Sequence, residues 1–295
     1  MIRSFLFVPA DSERKIQKAS VAGADALIFD LEDSVDAAAR PEARTIAAAA
    51  IDDRDDVWVR INPLNSEEAD LDLDAVLPAA PAGIVLPKPE SAADVIDLAA
   101  RLDELEQTND ISPGTTGILA ICTERPEALF SLGGYVDATE RLAALSWGAE
   151  DLSAAVGATR NRDEHGDWLA PYQLARSLCL FAAAAAGVAA IDTVFTDYRN
   201  SDGLANYASN AHRDGFSGML AIHPAQVEII NSAFMPTADD VARAERIVAL
   251  FADNPGAGTL GMDGEMIDRP HFLQAQRIVE LVKVLEEKQT QAKKK

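Results

Sequence analysis

Cysteine, histidine and positive charge are all scarce in this sequence. Two cysteines, Cys122 and Cys179, and four histidines occur in 295 residues. Both cysteines lie inside apolar runs, and no Cys/His spacing matches a zinc site. A disulfide framework is therefore excluded, and the thiols are expected to be reduced, as in the cytoplasm. Lys and Arg number 26 against 48 Asp and Glu, a formal net charge of −22. Such a field repels polyanions, so neither nucleic acid nor an anionic membrane is expected as a partner. A small anionic substrate stays open, because a few local cations or a metal reverse the potential inside one cleft. Long apolar runs are also missing. The longest, residues 178–191, is too short and too rich in alanine to span a bilayer. Asp11, Glu13 and Arg14 follow so soon after the start that no signal-peptide core is expected. The basic end, residues 289–295, is expected to fray.

What the sequence does hold is alternation. Short β-branched or aromatic runs occupy residues 5–9, 26–31, 57–62, 83–87, 117–122, 143–147, 189–195 and 218–222. Stretches of helical period lie between them, at 12–22, 41–50, 67–77, 92–106, 126–132, 171–187, 201–213 and 224–233. Most strand candidates are apolar throughout, as in parallel sheets covered on both faces by helices. Eight such units predict an α/β fold, a closed (β/α)8 TIM barrel over residues 1–235. Residues 236–295 form a C-terminal helical extension, with helices at 238–252 and 270–287 and a Gly-rich irregular stretch at 254–268. Gly256, Gly258 and Gly261 match G-x-G-x-x-G, but a helix precedes them and no helix opens from them. The match carries no nucleotide site.

In a parallel barrel, chemistry gathers at the carboxyl ends of the strands. There the sequence places Asp30-Leu-Glu32-Asp33, Arg60 and Asn62, Lys88, Glu124, Glu150 and Asp151, Asp192 and Asp197, and His223. Asp33, Asp197 and Asp202 are equally suited to capping helices, and His223 to packing at the rim. Glu124 and Asp151, on neighbouring strand ends, are a natural pair of hard oxygen ligands. Two carboxylates with room for waters suit Mg²⁺ better than zinc. Arg60 is placed to grip a substrate carboxylate through two parallel bonds. Lys88 has two readings, an ion pair with rim carboxylates or a Schiff-base nucleophile of a metal-free aldolase. The implied ligand is a small 2-oxo or 2-hydroxy acid chelated to the metal, with a carbon–carbon bond breaking or forming.

These residues resemble a known family. Segments Arg3-Ser-Phe-Leu-Phe-Val-Pro9, Asp30-Leu-Glu-Asp33, Val59-Arg-Ile-Asn62, Leu86-Pro-Lys88, Thr123-Glu124, Gly148-Ala-Glu-Asp-Leu152, Ala190-Ile-Asp-Thr193, Gly215-Phe-Ser-Gly218, Ile222-His-Pro-Ala-Gln226, Phe234-Met-Pro236 and Asp263-Gly-Glu-Met-Ile-Asp268 stand in its order and spacing. The chain is similar, nearly end to end, to the citrate lyase β-subunit-like CoA-ester lyases of the HpcH/HpaI aldolase superfamily. The resemblance implies a barrel whose extension packs on a neighbouring subunit, in homotrimers or hexamers. It implies Mg²⁺ held by Glu124 and Asp151, with Glu32 orienting metal-bound water and Arg60 on the substrate. An aspartate donated across the subunit interface maps to Asp268, with Asp263 as second choice. The substrates implied are 3-hydroxyacyl-CoA thioesters such as malyl-CoA or citramalyl-CoA, cleaved to an acyl-CoA and glyoxylate or pyruvate. Thioesterase or malate synthase activity, and a β subunit acting on citryl-acyl-carrier protein within a citrate lyase complex, are the related alternatives. Arg3, Arg14, Lys15 and Lys18 are the basic residues available for CoA phosphates. One departure is plain: the histidine base of pyruvate-type aldolases is missing from residues 30–35, which sets the chain in the thioester branch.

Overall fold

The structure, a computed structural model, describes residues 2–51 and 54–292, with side chains to Lys283. Two compact units divide the chain, Met1–Phe234 and Met235–Lys295. In the first, strands β1 (Ser4–Pro9), β2 (Ala26–Asp30), β3 (Val57–Arg60), β4 (Gly83–Leu86), β5 (Gly117–Ile121), β6 (Leu142–Ser146), β7 (Ala189–Asp192) and β8 (Gly218–Ala221) form a closed barrel in sequence order. All neighbours pair in parallel, and β1 closes on β8. Helices α1 (Glu13–Ser20), α2 (Arg40–Ile51), α3 (Glu67–Val76), α4 (Ala92–Thr108), α5 (Ala149–Ala155), α6 (Ala170–Ala186), α7 (Ser201–Asp214) and α8 (Pro224–Ala233) follow in turn. This is a (β/α)8 TIM barrel.

The doubly apolar strands explain the architecture. Every residue of β2 is buried. One set of alternate side chains, including Phe5, Ile28, Trp58, Leu119, Ile121 and Ile191, fills the barrel. The other set, including Leu27, Phe29, Ile118, Ala120 and Leu145, packs under the helices. Trp58 meets Phe5 edge to face at 5.7 Å. Its ring lies over Gly83, where an added Cβ would come within 2.3 Å of it. The interior is therefore a packed core, and chemistry is confined to the rim.

Three local expectations are corrected. Residues 126–132 do not form an α-helix. Pro126 and the pair Gly133-Gly134 leave two short 3₁₀ turns, Pro126–Phe130 and Leu132–Tyr135. An additional helix, α5, opens directly after β6 and carries Asp151 in its first turn. Within the second unit, α9 (Ala238–Ala252) and α10 (Arg269–Ala292) flank a hairpin of β9 (Thr259–Met262) and β10 (Glu265–Asp268), where an irregular stretch was expected. Asp263 and Gly264, the two turn residues, both have positive φ, +54° and +84°. A two-residue turn of that kind matches the twist of antiparallel strands. Ala244, Ile247, Phe251, Met262, Ile267 and Ala275 form this unit's own core. Helix α10 runs into the basic tail as far as Ala292, and residues 293–295 lie outside the described residues. Among the described residues no helix is long and apolar enough to cross a membrane.

Candidate active site

Five consecutive strands, β2 to β6, deliver charged side chains to one side of the barrel mouth. Asp30, the last residue of β2, pairs in register with Arg60, the last of β3. Arg60 Nε and Nη2 donate to Asp30 Oδ1 and Oδ2, each at 2.7 Å. The same carboxylate accepts the backbone N–H groups of Glu32 and Ser34, which turns the chain after β2. Burial opposes the charge on Asp30, but the Arg60 fork outweighs it and holds the carboxyl below its ordinary range. Arg60 also lies over the Phe7 ring at 4.7 Å. Its Nη1 approaches Glu32 Oε2 at 3.1 Å, an ion pair without hydrogen-bond alignment.

Lys88 ties this group to the next. It stands between Pro87 and Pro89 with φ +51°, a left-handed conformation that a residue before proline rarely adopts. That turn aims its backbone N–H at Glu124 Oε2, 2.6 Å away. Its ammonium contacts Glu32 Oε1 and lies 3.0 Å from Asp33 Oδ2 and 3.3 Å from Asp151 Oδ1. Burial alone would favour the neutral amine. The carboxylates of Glu32, Asp33 and Asp151 reverse this and raise the pKa above lysine's ordinary value. A charged ammonium is a poor Schiff-base nucleophile, so the geometry supports the ion-pair reading of Lys88 and disfavours the metal-free aldolase.

Glu124 follows β5 and is 3% exposed. It lies against Gly148, where a Cβ would come within 2.5 Å of its Cγ. Burial, then Asp151 and then Glu32 push its pKa well above the carboxylate range. Glu32 is also raised, by burial first. The cluster thus sets five carboxyls, Asp30, Glu32, Asp33, Glu124 and Asp151, against two cations, Arg60 and Lys88. Among the described residues no group of three or more His, Cys, Asp or Glu side chains is arranged to hold a metal ion by itself. Magnesium needs no such cage, since it binds through one or two carboxylates and keeps several waters. The excess of carboxyls over cations fits a hard divalent ion at Glu124 and Asp151, and the missing side chain at Gly148 makes room for Glu124 itself.

Other expected residues do different work. Arg3 precedes β1 and so sits at the opposite, amino-terminal end of the barrel. It is locked to Asp25 by bonds of 2.8 Å from Nε and Nη2, which removes it from any CoA site at the mouth. Lys15 and Lys18, on α1, do line a cavity of about 290 Å³ beside β1 and β8, together with Phe7, Pro9 and His223. His223 caps α8, accepting from Ala225 N at 3.2 Å, and stacks on Tyr198 at 4.9 Å. Asp192 faces the helices, where Trp147, Arg176 and Tyr207 bond it, and Asn62 is held by Asp72. Both are structural. Asp268 ends β10 and pairs with His271, and Asp263 pairs with Arg246 at 2.7 Å. Two contributors escape the sequence reading, Asp30 as the anchor of Arg60 and Gly148 as the recess for Glu124. The register of β2 against β3 and the closeness of Glu124 to Gly148 identify them, and neither is written in a spacing.

Comparison with known proteins places this arrangement. The HpcH/HpaI aldolase/citrate lyase profile matches residues 3–224. Citrate lyase subunit beta of Haemophilus influenzae is 33% identical over 287 residues, covering 95% of this chain and 97% of that protein. The mitochondrial citramalyl-CoA lyase of Rattus norvegicus is 33% identical over 306 residues, covering 97% and 87%. Among solved structures, the protein CitE of Mycobacterium tuberculosis in complex with magnesium, acetoacetate and coenzyme A superposes with a TM-score of 0.80. It is 32% identical in sequence, and the match covers 94% of this chain and 97% of that one.

Proposed function

The chain belongs to the HpcH/HpaI aldolase/citrate lyase family, and from that premise we propose that it is a magnesium-dependent carbon–carbon lyase of CoA esters. The substrate class is a 3-hydroxyacyl-CoA thioester such as malyl-CoA or citramalyl-CoA. The hydroxyl of C3 loses its proton, C3 becomes a carbonyl, and the C2–C3 bond breaks. The electron pair passes to the thioester enolate, which takes a proton to leave as acyl-CoA, with glyoxylate or pyruvate as the other product. The observation that carries this reading is the set Glu32, Arg60, Lys88, Glu124 and Asp151 on five successive strand ends.

In this reading Glu124 and Asp151 hold Mg²⁺, which when bound supplies Lewis acidity to the oxygens of the 2-oxo acid half. Asp30 keeps the Arg60 guanidinium in one plane, so that it meets the acid's carboxylate without losing rotamer freedom at that moment. Glu32 orients water at the metal. Lys15 and Lys18 bind the CoA phosphates beside the cavity that they line. Asp268, from the second unit of a neighbouring copy in a homotrimer or hexamer, moves the proton, with the family resemblance of Ile267-Asp268-Arg269-Pro270 as its support. The second unit is then an extension packed on a neighbouring subunit.

A second reading, a β subunit acting on citryl-acyl-carrier protein within a complex, is favoured by the Haemophilus influenzae relative. Purified chain assayed alone on a panel of CoA thioesters, with and without chelator, separates the two. Cleavage of malyl-CoA or citramalyl-CoA that stops with EDTA is the expected result. No turnover of any CoA thioester in magnesium would overturn the stand-alone lyase. Borohydride trapping that labels Lys88 in the presence of substrate would instead revive the Schiff-base aldolase.

A further inference from the structure

The ammonium of Lys88 lies among Glu32, Asp33 and Asp151, one of which the reading above assigns to magnesium. We propose that Lys88 is an exchangeable internal counter-cation, which neutralises the acidic cluster while no divalent ion is held and is displaced from Asp151 when magnesium binds. This inference rests on the magnesium reading and extends it to a residue that holds no metal.

Four observations carry it. First, the cluster has more carboxyls than cations, so a site without either ion would set Glu32, Glu124 and Asp151 against one another. Second, Arg60 is not the exchangeable cation, because two of its nitrogens are fixed on Asp30 at 2.7 Å. Third, two partners of Lys88 are wet: the side chains of Asp33 and Asp151 are 55% and 34% exposed. Ion pairs with exposed carboxylates are weak, so the outer half of the grip releases readily. Fourth, the backbone and side chain of Lys88 have separate tasks. Its N–H is fixed on Glu124 by the left-handed turn between two prolines. The four-carbon stem therefore swings without disturbing Glu124. Magnesium and an ammonium compete for the same Asp151 oxygen, and the strength of the Lys88 grip sets the metal concentration at which the site fills.

The test is magnesium titration of metal-free protein by isothermal calorimetry at neutral pH. Lys88→Met removes the competitor and is expected to bind magnesium at least ~5-fold more tightly than wild type. Lys88→Arg keeps a cation in place and is expected to stay within about 2-fold of wild type. Unchanged or weaker binding by Lys88→Met overturns the proposal. A second measurement uses wild type alone and serves if the methionine variant does not fold. Acetic anhydride labelling, read by mass spectrometry of the peptide that holds Lys88, is expected to rise at least ~3-fold on adding magnesium to EDTA-treated protein. Equal or lower labelling with magnesium overturns the proposal. Failure of the underlying reading looks different: Glu124→Gln would bind magnesium as wild type does, while the response of Lys88→Met still decides the role of Lys88. Wild type that binds no magnesium takes both down.

Discussion

Glu124 lies where a side chain at position 148 would be. A Cβ built on Gly148 falls 2.5 Å from Glu124 Cγ and 3.1 Å from its Oε1. Position 148 is also the N-cap of α5, immediately before the first turn, which presents Asp151. One residue type at one position therefore governs both carboxylates. Gly148→Ala is expected to push Glu124 out of line and weaken magnesium binding at least ~10-fold, because metal sites lose affinity steeply when a ligand is re-aimed. Calorimetric titration reads this directly. An alanine variant with wild-type affinity would mean that Glu124 does not hold the ion.

Arg60→Lys keeps the charge but removes the fork. Lysine cannot span both oxygens of Asp30 and still meet a ligand. The expected result is a fall of about 100-fold in kcat/KM, carried mostly by KM for the 2-oxo acid when the reaction is run toward condensation. Asp30→Asn is expected to do the same more mildly, since it frees Arg60 without removing it. Steady-state kinetics of the two variants check this, and a lysine enzyme with unchanged KM would take Arg60 off the substrate.

The CoA assignment is tested at the surface of α1. Lys15→Ala with Lys18→Ala is expected to raise KM for the thioester about 5-fold at low salt and leave kcat unchanged. The difference from wild type is expected to shrink as salt is added. A double variant with wild-type KM at low salt would place the phosphates elsewhere.

Glu106 contributes to the acid-side stability of the barrel. It is fully buried, accepts from Arg141 Nη1 at 2.9 Å and Nη2 at 2.6 Å, and takes the N–H groups of Gly114 and Thr116. Burial resists its charge, but these donors outweigh it and hold the pKa at about 2 against an ordinary 4.5. A carboxyl depressed in the folded state stabilises the fold above the ordinary value, and that contribution is lost as pH falls through the folded one. Glu106→Gln is expected to lower stability by about 3 kcal/mol at neutral pH. The gap from wild type is expected to narrow as pH falls from 4.5 toward 2. Melting temperatures across that range measure it, and a constant gap would contradict the assignment.

The barrel was legible in the sequence because its strands are buried on both faces and read as unbroken apolar runs. The same property hid what each strand end does. With no polar alternation, the sequence does not say which way Asp192 points, and it faces the helices. Arg3 precedes its strand, and in a parallel barrel that puts it at the end away from the chemistry, whatever its charge suggests. Arg60, Lys88, Glu124 and Asp151 were legible because each ends or follows a strand. The link from Asp30 to Arg60 was not, because it depends on the register of two strands whose sequences are 30 residues apart. The hairpin in the second unit has a local signal, Asp263-Gly264, masked by the other glycines near it. The left-handed Lys88 had none, since proline after lysine argues against that conformation.

The three tryptophans, Trp58, Trp147 and Trp168, are all shielded from solvent. Trp147 adjoins Gly148 and donates from its ring nitrogen to Asp192 at 2.6 Å, with Trp168 edge-on at 5.0 Å. The chain thus carries its own optical reporter next to the recess that receives Glu124. Its fluorescence should lie toward the blue, and a shift of the backbone at Gly148 would change the quenching of Trp147, so a change of emission on adding ligand is the expected signal of any such shift in the unlabelled protein.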